Sequence, residues 1–134
     1  MSYKKDLVDA AVKARNQAYS PYSSFCVGAA LLCDDGTVYN GANIENASYG
    51  ATICAERVAF SHALFEGKRD FKAIAIVGSK RGDRISSYCA PCGICRQFMA
   101  EFCREDFVIL LFDGNNIKEL ALDSLLPEAF DSHL

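Results

Sequence analysis

The chain has little of what would send it to a membrane or to a nucleic acid. Its longest apolar runs, such as residues 26–33, have the length of a buried strand and fall well short of the roughly 20 residues a membrane-crossing helix needs. Lys and Arg number 14 against 17 Asp and Glu, so the net charge is −3 and the pI near 5.3, without the basic footprint of a nucleic-acid binder. A small substrate is the better expectation. Repeats, low-complexity tracts and a linker-like stretch are all missing, which argues for one domain over residues 1–134. Histidine is scarce: His62 and His133 lie far in sequence from the cysteine motifs, and His62 reads as a helix-surface or partly buried residue and not as a ligand. The opening Met1-Ser2-Tyr3-Lys4-Lys5-Asp6 carries no signal-like apolar core, so a reducing, cytoplasmic setting is expected.

What the chain does have is cysteine, and a core. Hydrophobic residues make up 51% and charged residues 23%, an ordinary globular balance that excludes disorder. Seven cysteines is an odd number, and in a reducing compartment clustered cysteines bind metal or do chemistry more often than they form disulfides.

Periodicity orders the elements. Residues 4–19 carry an i, i+3/i+4 stripe of Leu7, Val8, Ala11, Val12 and Ala18, which predicts an amphipathic helix ended by Ser20-Pro21. Residues 26–33 and 37–42 read as a hairpin closed by Asp35-Gly36, with a first strand apolar enough to be buried on both faces. A loop over 43–48 leads to a helix over 52–65 stopped by Gly67. A strand over 71–79, a helix over 92–102 with Pro91 at its first position, strands over 107–112 and 117–121, and a last turn over 124–126 complete the order. The α-β-β-α-β-α-β-β sequence predicts an α/β fold in which helices cover a central mixed sheet.

The chemistry centres on Cys54-Ala55-Glu56-Arg57 and Pro91-Cys92-Gly93-Ile94-Cys95. Cys92 and Cys95 are three apart and share a helix face. Both segments fall at predicted helix N-termini, where free N–H groups and the partial positive charge favour thiolates. Three such thiolates can hold a zinc ion and leave its fourth tetrahedral position for water. Glu56, beside them and not itself a ligand, is then placed to move protons. Three thiolates on a divalent cation leave excess negative charge, which Arg57 and Arg96 are positioned in sequence to offset. Two other readings stand beside this one. Cys92-Gly93-Ile94-Cys95 also suits a thiol redox pair. Cys89, with the other three cysteines, could close a four-cysteine structural site, leaving Glu56 no water to act on and making the chain a zinc-stabilised binding module. Cys26, Cys33 and Cys103 lie in apolar runs and read as core residues.

These residues resemble the zinc-dependent cytidine deaminases. The likeness extends to Ser20-Pro21-Tyr22-Ser23 followed by Phe25, to Val27-Gly28-Ala29-Ala30, to the stretch from Gly41 through Asn43-Ile44-Glu45-Asn46 to Ser48, and to Arg96-Gln97, all similar to the short, homotetrameric, three-cysteine branch. The resemblance implies a three-layer α-β-α sandwich around a five-stranded sheet, one Zn2+ per subunit, and deamination of cytidine and 2′-deoxycytidine in pyrimidine salvage. The mechanism, attack of a zinc-activated water on C4 with a Glu as acid and base, belongs to that class and is taken from it. The resemblance also implies Cys54, Cys92 and Cys95 as ligands and Glu56 as proton shuttle. It implies Asn43 and Glu45, flanking Ile44, against the sugar hydroxyls, Phe25 packed on the pyrimidine, and the Ala55 backbone on the base. Tyr49 and Phe130 are implied to reach a neighbouring subunit's site. A carboxylate in the sugar loop suits a diol and repels a phosphate, so a free nucleoside is expected. Ala90 departs from the pattern at a position where many relatives carry serine. A deaminase of a cytosine-containing antibiotic nucleoside shares the zinc motifs, and Asn43-Ile44-Glu45-Asn46 argues against it.

Overall fold

A computed structural model of the chain describes residues 2–131; His133 lies outside them. The helical stripe forms α1 (Lys4–Ala14), which tightens into a 3-10 turn over Arg15–Gln17. β1 (Phe25–Cys33) and β2 (Val38–Ala42) form the expected hairpin, with Gly36 at φ +91° in the turn, where a side chain would be strained. α2 (Ala55–Phe65) ends at Gly67 (φ +88°), whose N–H bonds Leu64 O while that of Lys68 bonds Ala63 O. β3 (Phe71–Lys80), α3 (Gly93–Phe102), β4 (Val108–Phe112), β5 (Ile117–Ala121) and the short α4 (Leu122–Leu125) follow.

The five strands lie in the order β2-β1-β3-β4-β5, antiparallel except for the parallel β3/β4 pair. That parallel pair requires a crossover, which α3 supplies. The central strands are buried on both sides, as the near-continuous apolar run of β1 requires. Alternation divides them: Ala30, Leu32, Ala75 and Val77 pack under Leu7, Val8 and Ala11 of α1, while Ala29, Leu31, Ile74 and Ile76 face Ala59 and Phe60 of α2 and Met99 of α3. The result is the expected three-layer α/β sandwich. Phe60 is the pivot of the second layer, meeting Phe71 edge-on at 5.1 Å between ring centroids.

Three helix starts differ from the sequence reading: α4 begins at Leu122 and not at 124, and the other two share one reason. α2 begins at Ala55 and not at 52, and α3 begins at Gly93, so Pro91 precedes the helix instead of opening it. In both, a cysteine with extended backbone (ψ 152° at Cys54, 167° at Cys92) is the N-cap. The thiol therefore projects from the cap and not from the first helical turn.

Glycine permits the closest approaches. A Cβ at Gly41 of β2 would lie 2.3 Å from Ala55 O and 2.6 Å from Ala59 N, so the start of α2 seats directly on the sheet.

Candidate active site

The sandwich aims the N-termini of α2 and α3 at one point. The sulfurs of Cys54, Cys92 and Cys95 lie within 4.8 Å of one another, with Cys54 Sγ 3.6 Å from Cys92 Sγ. Around a tetrahedral zinc with Zn–S of about 2.3 Å, sulfurs sit roughly 3.8 Å apart, so the donor set fits that ion. The electrostatics agree. Hydrogen bonds from Cys95 and Arg57 hold the Cys54 thiol down to about 5, while the same sharing and burial push the Cys95 thiol up. The lowered Cys54 thiol favours the thiolate, the form in which cysteine ligates a metal. Among the described residues this cluster contains only those three cysteines. Cys89 stays outside it, and burial, with the nearby charges of Glu56 and Cys54, pushes its thiol up to about 11. A closed four-cysteine site is not what the chain builds.

Glu56 occupies the first turn of α2 and is 4% exposed. Burial, with the Cys54 charge beside it, raises its carboxyl to about 7, a proton affinity suited to giving and taking protons near neutrality. The two arginines part company. Arg57 Nη2 reaches Cys54 Sγ at 3.6 Å, as charge compensation requires. Arg96 donates instead to Pro91 O (2.7 Å) and Leu125 O (2.8 Å), bracing the turn before Cys92 against α4.

Asn43, Ile44 and Glu45 follow β2 and are tied down on both sides by main-chain bonds. Tyr19 N–H donates to Asn43 O at 2.9 Å, Glu45 N–H to Tyr19 O at 2.8 Å, and Ile44 exchanges bonds with Ile53. Buried Asn43 bridges β1, its Oδ1 accepting from Val27 N–H and its Nδ2 donating to Phe25 O, each at 2.9 Å. Glu45 Oε1 accepts the N–H groups of Tyr22 (2.9 Å) and Ser23 (3.1 Å), and Ser23 Oγ donates to Oε2. These bonds, the Ser23 hydroxyl foremost, keep the Glu45 carboxyl ionised below its ordinary range. Glu45, Ser23, Tyr22, Asn46, Tyr49 and Thr52 line a cavity of about 380 Å³.

Phe25 lies against the sheet where there is no side chain to stop it: a Cβ at Gly78 would fall 2.8 Å from Phe25 Cε2 and 2.9 Å from Cys89 Sγ. Ala55 is fully buried under this arrangement. Tyr49 and Phe130 are 75% and 74% exposed, and the Phe130 carbonyl takes a bond from Gln97 Nε2 at 3.1 Å.

The profile described as the cytidine and deoxycytidylate deaminase zinc-binding region matches residues 1–111. The chain belongs to this family. It is 51% identical over 127 residues to a cytidine deaminase of Halalkalibacterium halodurans, covering 92% of this chain and 91% of that one. It is 49% identical over 125 residues to one of Sporosarcina psychrophila, with 92% and 88% covered. The crystal structure of cytidine deaminase from Burkholderia pseudomallei aligns with a TM-score of 0.87 at 44% identity, covering 97% of this chain and all of that one.

For a member of the cytidine and deoxycytidylate deaminase family, sequence reading left several supporting residues unseen. Gly78 acts only through what it touches, and no spacing signals it. Thr52 is another: its Oγ1 takes a bond from Asn46 N–H and its carbonyl one from Arg57 Nη2 (3.3 and 3.4 Å), joining the loop that bears Glu45 and Asn46 to the cysteine cluster.

Proposed function

We propose that this chain deaminates cytidine and 2′-deoxycytidine hydrolytically, releasing ammonia and forming uridine and 2′-deoxyuridine. The observation that carries the reading is the convergence of three cysteine sulfurs, within 4.8 Å of one another, beside a carboxyl that is 4% exposed. Cys54, Cys92 and Cys95 hold one zinc. When bound there, the metal would supply a water of lowered pKa, a nucleophile at neutral pH. Glu56 would move both protons, the first from the attacking water to N3 of the pyrimidine as the C4–O bond forms, the second from the new C4 hydroxyl to the amine as the C4–N bond breaks and ammonia leaves. Arg57, on Cys54 Sγ, limits the negative charge of the ligand set. Phe25 packs on the pyrimidine ring and the Ala55 main chain meets the base. Asn43 and Glu45 read the sugar hydroxyls, and the ionised Glu45 excludes a 5′-nucleotide by repulsion where a phosphate would approach.

The exposed rings of Tyr49 and Phe130 support a homotetramer in which each completes a neighbour's site. Pyrimidine salvage in the cytoplasm is the setting that fits such an activity. The described residues contain no helix long and apolar enough to cross a membrane.

The deciding experiment follows loss of cytidine ultraviolet absorbance with purified protein, dCMP in parallel. Turnover of cytidine and not of dCMP is the expected result. No turnover by a protein carrying stoichiometric zinc would overturn the reading. Chelation should stop the reaction and release three further titratable thiols; four would restore Cys89 to the ligand set.

A further inference from the structure

The carboxylate of Glu45 does not stand alone in its cavity. Ser23 meets it twice, through its main-chain N–H on Oε1 at 3.1 Å and through its hydroxyl on Oε2. The same hydroxyl accepts the N–H of Phe25 at 3.0 Å. Ser23 is held in turn by Lys80 Nζ, which donates to its carbonyl at 2.9 Å from the end of β3. One hydroxyl thus joins the residue that reads the sugar to the residue that packs on the base. A carboxylate free to rotate would find other partners in water, whereas one with an oxygen fixed by an O–H donor presents its remaining lone pairs in one direction.

We infer that Ser23 is a positioning residue for sugar recognition: its hydroxyl orients the Glu45 carboxylate toward the nucleoside hydroxyls and couples that orientation to Phe25. The inference rests on the proposed cytidine deamination and adds a residue to it. It predicts that the Ser23 hydroxyl matters more for a substrate that has sugar hydroxyls than for one that lacks them. Any loss transmitted through Phe25 alone is common to both substrates, because both carry the same base.

The test is a cycle between Ser23→Ala and the substrate, using kcat/KM for cytidine and for 2′,3′-dideoxycytidine, with zinc content and thermal unfolding measured on each protein. A hydrogen bond to a charged group is worth about ten- to a hundredfold, so S23A should lose that much on cytidine and roughly threefold or less on the dideoxynucleoside. The loss should fall mainly on KM, and S23T, which keeps a hydroxyl, should recover most of it. Equal losses on the two substrates, or none on either, would overturn the inference while leaving the deaminase reading intact. So would an S23A protein that has lost zinc or its cooperative unfolding, since the hydroxyl would then serve the fold and not the sugar. Wild-type protein inactive on cytidine would sink the functional reading itself, and is told apart because it fails before any variant is made.

Discussion

The two halves of the site are built by opposite means. The metal half hangs from the caps of two helices: Cys54 and Cys92 are N-caps, Cys95 is one turn into α3, and Glu56 lies buried in the first turn of α2. The half proposed to read the sugar (the sugar half) hangs from loops, and side chains hydrogen-bonded to main chain hold it: Asn43 to Phe25 and Val27, Glu45 to Tyr22 and Ser23. In the first half, backbone geometry gathers three cysteines of graded exposure beside the buried Glu56, whose proton affinity is raised by that burial. In the second, polar side chains do the placing, from buried Asn43 out to the partly exposed Glu45, where a ligand's hydroxyls can replace water. The cysteines and Glu56 sit at the starts of rigid helices, and the residues proposed for recognition sit on what those elements support.

The largest effect should come from the metal half. Glu56→Gln keeps the size of the side chain and removes its capacity to carry a proton, so kcat should fall by about 10²- to 10⁴-fold. Because Glu56 ligates nothing, zinc content measured by atomic emission should stay stoichiometric. Loss of both together would merge ligand and shuttle and break the division drawn above.

Next is the seat of α2. At Gly41 a methyl group would press on main-chain atoms of Ala55 and Ala59, which cannot rotate away as a side chain could. Gly41→Ala should therefore destabilise the protein by about 1–3 kcal/mol, as overpacking does, in urea unfolding monitored by circular dichroism. It should also weaken zinc retention, since Cys54 caps the helix that is displaced. In the sugar half, Asn43→Ala removes both of the amide's bonds to β1 and leaves the Val27 N–H without its acceptor. Stability should fall by about 1–2 kcal/mol, with stoichiometric zinc retained. A G41A protein that keeps its zinc would show that the cysteine cluster does not depend on the seat of α2, and an N43A protein that loses its zinc would show that the halves are not separable.

The same division explains what could be read from sequence. The sheet, its hairpin and the helices follow from apolar period, because burial on one or both faces leaves a pattern in the residues that do it. The cysteine cluster was legible because ligand spacing and helix-end chemistry are local properties. The helix starts were missed by up to three residues because cap geometry, and not periodicity, decides where Cys54 and Cys92 stand. The roles of Asn43 and Glu45 came by resemblance alone: an asparagine and a glutamate in a loop carry no signal of the strand or serine they will meet. Arg96 shows the same limit, since adjacency to Cys95 suggested charge compensation while its guanidinium is held by two carbonyls, one of them on Leu125.

The smallest effect concerns the loop that bears Ser23 and Phe25. Between them Ser24 sits at φ +60°, with its N–H on Ser20 O and its carbonyl accepting from Arg81 N–H. A left-handed conformation costs a non-glycine residue roughly 1–2 kcal/mol, and glycine would remove that strain. Glycine would also give the unfolded chain more freedom to lose, at about 0.5–1 kcal/mol. The two nearly cancel, so Ser24→Gly should change unfolding free energy by a net stabilisation of at most about 1 kcal/mol. Chemical denaturation of the two proteins at matched zinc content resolves a difference of that size. A destabilisation beyond about 1 kcal/mol would mean that the serine side chain holds the loop as Asn43 and Glu45 do, and the sugar half would then depend on three such anchors.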